Sequence, residues 1–385
     1  MSEKDCWLAF SAFPAIGPAK FRKILAEFGT AKDAWEAPKS DLGKLIEEET
    51  AEKFDAFRKE FLIEDCLKKL KEKDVWFVAL QDKDYPELLK KIKNPPFVLY
   101  GRGQVPDGTW FSKSVGIVGA RKTTEYGREV TKLLTTELVL SGFTIVSGLA
   151  LGVDGVSHMT ALENNGKTIA VLGCGVDCCF PGENQSLYNS ILESGNCIVS
   201  EFPLGMKPTQ WTFPVRNRII AGLSQAVLVT EGAEDSGSLI TAEFALKFNR
   251  KVFAVPGPIT STMSKGPYKL ISKGAKLVTS GQDILKELTI PTFAKAASFA
   301  GLRFAEGFGK ARVATKVESA GKQNSKFKDA TKEERKILDL LQNEVLYFDE
   351  IVRKTKFKSS QLSSLLSLME IKGFIKSLDG GIFCV

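Results

Sequence analysis

The chain has a single histidine among its 385 residues, and its seven cysteines include no C-x-x-C pair. Those two shortages remove most routes to a zinc centre or to a histidine-dependent nucleophile. No run of 18 apolar residues occurs, so no segment has the length to cross a bilayer as a helix. The opening MSEKDCWLAFSAFPAIG lacks the charged, apolar and small-residue zones of a secretory signal. The expected compartment is therefore the cytoplasm, with no membrane partner. An odd number of scattered cysteines agrees with reducing surroundings and free thiols. The loop GIVGARKT is neither G-x-G-x-x-G nor a Walker A run, and no cluster of metal-binding carboxylates stands out. No cofactor and no metal are expected.

What is present is ordinary globular material, 43% hydrophobic with mean hydropathy near zero, enough for two or three domains. The net charge of +7 is uneven: residues 291–385 carry 17 basic against 11 acidic side chains, and most of that excess lies in 291–330, with 8 against 3. This Ala/Gly/Ser-rich stretch reads as a basic flexible linker, either held near a polyanion or simply solvated.

Four segments follow from the patterning. Residues 1–80 read as short helices, and FPAIGPAKFRKILAEFG resembles a helix-hairpin-helix or SAM-like unit; its turn either holds a phosphate at a helix start or is an αα-turn that needs Gly17 for its backbone angle. Residues 81–290 alternate apolar β-branched runs (SVGIVG, FTIVSG, TIAVLG, CIVSE, AVLVT, VFAVPG) with helical stretches near 125–141, 153–165, 184–194, 236–249 and 268–287. Strands without polar alternation are buried on both faces, so the class is α/β: an extended Rossmann-like, doubly wound, mostly parallel sheet. Residues 291–330 are the linker. Residues 331–385 give three helices and a hairpin turning at Asp379-Gly380-Gly381, the order of a winged helix.

In such a sheet, ligands bind beyond the carboxyl ends of the strands. Those ends carry Gly119 and Arg121, Ser147 and Gly148, Gly173 and Gly175, and the helix start Ser236-Gly237-Ser238 with Thr241 behind it. Small residues there let backbone amides approach an anion at helix starts. Within FPVRNRIIAG, a helix started by Pro214 sets Arg216 and Arg218 about 200° apart. Either one faces the crevice and the other a carboxylate such as Glu201, or both straddle a phosphate track with Asn217 between them. His158 lies one turn after Asp154, which permits an Asp–His pair; Glu243 is the carboxylate nearest the presumed phosphate edge. Phe180, Trp211 and Phe213 offer stacking faces.

The motifs GIVGARKTTEYG, SGLALGVDGVSHMTAL, TIAVLGCGVDCCFPGENQSLY, SEFPLGMKPTQWTFPVRNRIIAGLS and SGSLITAEFALKFNRKVFAVPGP together resemble the DNA-processing protein A family (DprA, also called Smf) over about residues 85–290. That resemblance implies sequence-independent binding of single-stranded DNA, a homodimer, protection of incoming DNA and its delivery to the RecA recombinase in natural transformation, with no enzymatic activity. The chain departs from the family pattern at Leu151, where arginine is usual, at Gly266-Pro267-Tyr268, and at 182–186, which hold no basic residue. Binding then rests more on Arg121, Arg216, Arg218 and the linker. The rival is an enzyme resembling the nucleotide phosphoribohydrolases, with Glu243 as its carboxylate and Arg121 on the phosphate; EDSGSLITAE keeps only part of the glycine run those enzymes carry.

Overall fold

The computed structural model describes residues 1–288 and, beyond them, 331–341, 346–357, 359–372, 374–378 and 382–384. The linker 291–330 and the turn at 379–381 lie outside the described residues. The chain divides into two compact units, Met1–Ala300 and Gly301–Val385.

The first unit begins with six helices: α1 (Glu3–Ser11), α2 (Pro18–Phe28), α3 (Ala31–Glu36), α4 (Lys39–Ile46), α5 (Glu48–Glu60) and α6 (Ile63–Glu72). Ser2 and Asp5 close α1 with a capping box, which satisfies two of the amides a helix start leaves open. Glu3 accepts the Ala31 and Lys32 amides at 2.8 and 2.9 Å and so caps α3 with an anion. The helices enclose an aromatic core of Trp7, Phe10, Phe21 and Phe54 that runs on to Phe97 and Tyr100 beside the sheet. Gly17 precedes α2 with φ −78° and ψ 177°, extended backbone open to any residue. The expectation that its angle requires glycine is corrected.

The sheet has nine strands: β1 (Val75–Ala79), β2 (Val98–Gly103), β3 (Ser114–Val118), β4 (Thr144–Ser147), β5 (Thr168–Val171), β6 (Cys197–Ser200), β7 (Ala226–Val229), β8 (Lys251–Ala254) and β9 (Lys276–Leu277). Their spatial order is β1-β2-β6-β5-β4-β3-β7-β8-β9. From β6 to β9 every pair is parallel, while β1 and β2 add an antiparallel edge. The Rossmann-like class holds. β1, β2 and β9 escape the sequence pattern: VWFVA continues an amphipathic helix without a turn signal, VLYGRG contains two glycines, and β9 is two residues long.

Helices cover both faces: α7 (Glu87–Lys90), α8 (Gly108–Ser112), α9 (Glu125–Leu140), α10 (Val153–Glu163), α11 (Gln185–Glu193), α12 (Thr212–Leu223), α13 (Ser238–Lys247), α14 (Lys265–Ser272) and α15 (Gly281–Glu287). The stretch expected as one helix over 268–287 is α14, β9 and α15, divided after Gly274, whose φ is +95°. α12 starts two residues before Pro214. Proline is tolerated there because first-turn amides have no intrahelical acceptor.

The second unit holds α16 (Lys332–Leu341), α17 (Phe348–Thr355), α18 (Ser359–Ile371) and a small antiparallel sheet of β10 (Leu346–Tyr347), β11 (Lys376–Leu378) and β12 (Ile382–Cys384). It is a winged helix. Leu362, Leu366 and Met369 of α18 are buried against Ile337 and Leu338, which makes its leucine face the core; the side chains of Ser360 and Ser367 lie outside the described residues.

Candidate functional site

Strand order runs away from β3 in two directions, through β4, β5 and β6 on one side and β7, β8 and β9 on the other. The loops after β3 and β7 therefore diverge and leave a cleft between them. A crevice of about 470 Å³ occupies that switch point. Its walls come from Gly119 to Lys122 after β3, from the first turns of α12, and from the 236–241 start of α13.

The floor is ionic and closed. Arg216 is 5% exposed and donates from Nη1 to the carbonyl of Gly148, at 2.5 Å, and to that of Val171; its Nε donates to Asn217 Oδ1 at 3.2 Å. The guanidinium thus joins the ends of β4 and β5. A Cβ at Gly148 would lie 2.5 Å from it, so any larger residue there would push the guanidinium from this position. Asp154 is buried beside it and accepts the amides of Gly148 and Ala150 at 3.1 and 3.4 Å. Burial pushes the Asp154 carboxyl up, against the pull of the Arg216 charge and those amides, and burial lowers Arg216 from its ordinary value. His158 does not pair with Asp154. Its Nδ1 meets Thr168 Oγ1 at 2.7 Å, its Nε2 has no partner, and burial, aided by Arg216, pulls its pKa down to about 3. It is a neutral core histidine.

The rim is open. Arg121 and Lys122 are exposed with no carboxylate within ion-pair distance among the described residues, and the Arg121 guanidinium lies 5.6 Å from the centre of the Phe213 ring. Phe180, 44% exposed, stands 5.5 Å from Phe213. Opposite, Asn217 Nδ2 donates to the Gly237 carbonyl at 3.3 Å, tying α12 to the start of α13. Ser236 and Ser238 share a hydroxyl contact of 2.8 Å. Gly237 has no side chain to cap α13, and the positive end of that helix borders the crevice.

Of the residues expected at the phosphate edge, Gly119, Arg121, Arg216, Asn217, Ser236, Gly237, Ser238 and Thr241 line this one crevice. Ser147, Gly148, Gly173, Gly175 and Arg218 are not on its walls. The Ser147 hydroxyl is taken by the Ile117 carbonyl at 2.6 Å. Gly173 packs against the Phe213 ring, and the Gly175 amide donates to Met206 at 2.9 Å. Arg218 points to the other side of α12 and pairs with Glu201, each side chain 9% exposed; burial raises the Glu201 carboxyl against the Arg218 charge. Glu243 is exposed and outside the crevice walls.

Two residues escaped the sequence reading. Glu231, 2% exposed, accepts from Thr123 Oγ1, the Thr124 amide and Thr124 Oγ1 at 2.9, 2.9 and 2.6 Å, which pins the loop carrying Arg121. A glutamate directly after the apolar run AVLVT was its only signal. Asn184 donates to the carbonyls of Leu149 and Ala150 at 2.9 and 3.2 Å, holding Leu149 at φ +56°, a left-handed angle costly for a branched side chain. Next to it, Gly152 has φ +75° and would clash through any Cβ with the Ala120 carbonyl. Among the described residues, no group of three or more His, Cys, Asp or Glu could hold a metal ion, and no helix is long and apolar enough to cross a membrane.

Comparison with known proteins places this geometry. Residues 76–289 match the family model described as DNA recombination-mediator protein A, and residues 324–381 match the DprA winged helix domain. Protein Smf of Synechocystis is 36% identical over 397 residues, 98% of each chain. DNA processing protein DprA of Bacillus subtilis is 44% identical over 220 residues, 57% of this chain and 73% of that one. The X-ray structure of DNA processing protein A from Streptococcus pneumoniae is 34% identical, covers 73% of this chain and 95% of that chain, and superposes with a TM-score of 0.62. With a crevice at the switch point of a Rossmann-like sheet, a winged helix C-terminal to that sheet in the sequence and a family match over more than half its length, the chain belongs to the DNA recombination-mediator protein A family, the DprA/Smf proteins.

Proposed function

We propose that this protein binds single-stranded DNA without sequence choice in the switch-point crevice, that it protects the incoming strand, and that it presents the strand to the RecA recombinase as a cytoplasmic homodimer. The observation that carries the reading is the pair Arg121 and Lys122, exposed cations at the crevice without carboxylate partners among the described residues, with the Arg121 guanidinium over the Phe213 ring. Cations track phosphates and aromatic faces stack any base, which gives affinity without a sequence code. The RecA and dimer parts of the proposal rest on family membership. The protein is proposed to perform no chemistry: His158 is sealed and neutral, and Glu243 stands outside the crevice walls. Gel shifts with single- and double-stranded oligomers at two salt concentrations, run beside a nucleoside monophosphate hydrolysis assay, test both statements. Expected are single-strand preference, affinity that falls steeply with salt, and no product; turnover abolished by Glu243→Gln would overturn the non-enzymatic reading.

A further inference from the structure

Three thiols stand within six residues of the loop after β5: Cys174, Cys178 and Cys179. All three are reduced; Cys174 is buried, and Cys178 and Cys179 are partly exposed. The loop folds back on itself. The Cys178 amide donates to the Gly175 carbonyl at 3.0 Å, and the Cys174 Sγ donates to the Cys178 carbonyl at 3.2 Å. The side chain of the first cysteine therefore points at the residue that carries the second. Closing a disulfide requires such an approach, because its sulfurs sit about 2 Å apart.

The three thiols differ in what they can do. Burial, helped by the neighbouring Cys178 sulfur, pushes the Cys174 thiol far up. Burial also pushes Cys179 up to about 11, and its Sγ donates to the Pro181 carbonyl at 3.5 Å. A thiol held neutral is a poor first nucleophile. Cys178 is the partly exposed thiol left to meet an oxidant, and Cys174 stands beside it to react second.

The same loop carries Phe180 to the crevice rim, in a row with Phe213 and Arg121 at 5.5 and 5.6 Å. Asp177 is held by the Gly205 amide at 2.9 Å and by Lys73 at 2.5 Å, and the Pro181 carbonyl accepts the Asn184 amide at 3.1 Å. With both ends fixed, a movement of Cys178 toward Cys174 must be taken up by Cys179 and Phe180.

We propose that Cys174 and Cys178 form a redox modification site, that hydrogen peroxide converts the pair to a disulfide, and that the bridge weakens the hold on a DNA strand by drawing Phe180 from the rim. The first step belongs to Cys178. Its sulfur attacks a peroxide oxygen, the O–O bond breaks, a sulfenic acid forms and one water leaves. The Cys174 sulfur then attacks the Cys178 sulfur; the S–S bond forms, the S–O bond breaks, and the hydroxide departs with the Cys174 proton as a second water. Two thiols give two electrons to one peroxide. The effect on affinity rests on the reading of the crevice as the single-strand site, whereas the bridge itself does not.

The test uses the full chain, treated with hydrogen peroxide, alkylated and cut after lysine and glutamate so that peptide 168–183 holds these three cysteines and no other. Mass spectrometry is expected to show that this peptide loses two hydrogens in wild type and in Cys179→Ser, and none in Cys178→Ser. Cys178→Ser exchanges a partly exposed thiol for a hydroxyl of similar size, so its reduced form is expected to bind as wild type does. Oxidised wild type is expected to bind an oligomer of about 15 nucleotides at least about fivefold more weakly than reduced, the loss of one stacked base. Dithiothreitol should restore it, and Cys178→Ser should show no change. A peptide that gains oxygen without losing hydrogens, or a loss that persists in Cys178→Ser, overturns the pairing. A bridge that forms with affinity unchanged overturns the coupling to Phe180. If the reduced chain binds no single strand, the crevice reading and the coupling fail together, and the masses still decide the bridge.

Discussion

On the floor of the crevice, Arg216 gives its N–H groups to the chain's own carbonyls and lies against the buried carboxylate of Asp154. At the rim, a short way along the same cleft, Arg121 is exposed, lies over the Phe213 ring and has no ion-pair partner among the described residues. The residue type is the same and the burial is opposite. A guanidinium removed from water must have its donors met inside the protein, because an unmet charge costs several kcal/mol; once met, those donors are no longer open to a ligand. The floor therefore sets the shape of the cleft, by tying β4 to β5, and the rim supplies the groups that a phosphate can displace from water. Arg218, two residues on, repeats the floor's logic on the opposite side of α12 with Glu201 as its partner.

The sharpest way to break this division is Arg216→Ala. It leaves two strand-end carbonyls without a donor and Asp154 without its neighbouring cation, and a loss of about 3 kcal/mol of unfolding free energy is expected, read as a lowered urea midpoint. A variant with the wild-type midpoint that no longer binds DNA would move Arg216 from the floor to the ligand.

A smaller effect isolates His158, which faces Arg216 across the same floor. Its folded pKa, about 3, lies below the value near 6.5 of an unfolded histidine. Between those values the unfolded chain binds a proton that the folded one refuses, so stability is complete above about pH 6.5 and falls as the pH drops, by about 1.4 kcal/mol per unit. Asp154 and Glu201, whose pKa values are raised, act in the opposite sense, so the measurement compares variants and not absolute slopes. His158→Phe removes the titration and also the unpartnered Nε2. Relative to wild type it is expected to gain roughly 2 kcal/mol between pH 7 and pH 5 in parallel urea titrations. Parallel curves for the two proteins would show that His158 is hydrated in the folded state.

The same contrast explains what could be read before any coordinates. Apolar runs without polar alternation declared β3 to β8 and the parallel class, and the small residues after them marked the edge where the crevice opens. The ionic reading of Arg218 with Glu201 also follows from helix geometry, since two positions along α12 must face apart. What stayed hidden depends on partners distant in sequence. Glu231 meets Thr123 and Thr124 across 107 residues or more, and Arg216 meets Gly148 across 68. No local period encodes such pairs. Ser147 shows the converse: a strand-end hydroxyl that suits phosphate in sequence is consumed by the carbonyl of a neighbouring strand.

The smallest effect on the fold, and the one that separates rim from floor most cleanly, is expected from Arg121→Ala. The side chain is exposed and lies over the Phe213 ring, a cation–π contact worth about 0.5–1 kcal/mol at such a site, so the urea midpoint should barely move. Binding should change in a particular way. A lysine or arginine that neutralises one phosphate of a single strand contributes about 0.7 to the slope of log affinity against log salt, and its removal should flatten the slope by that amount while weakening homopolymers of every base alike. Uniform weakening with a flatter slope assigns Arg121 to the backbone of the strand. Weakening that depends on base identity with the slope unchanged would place it on a base, in stacking partnership with Phe213, and the rim would then read the bases and not only the phosphates.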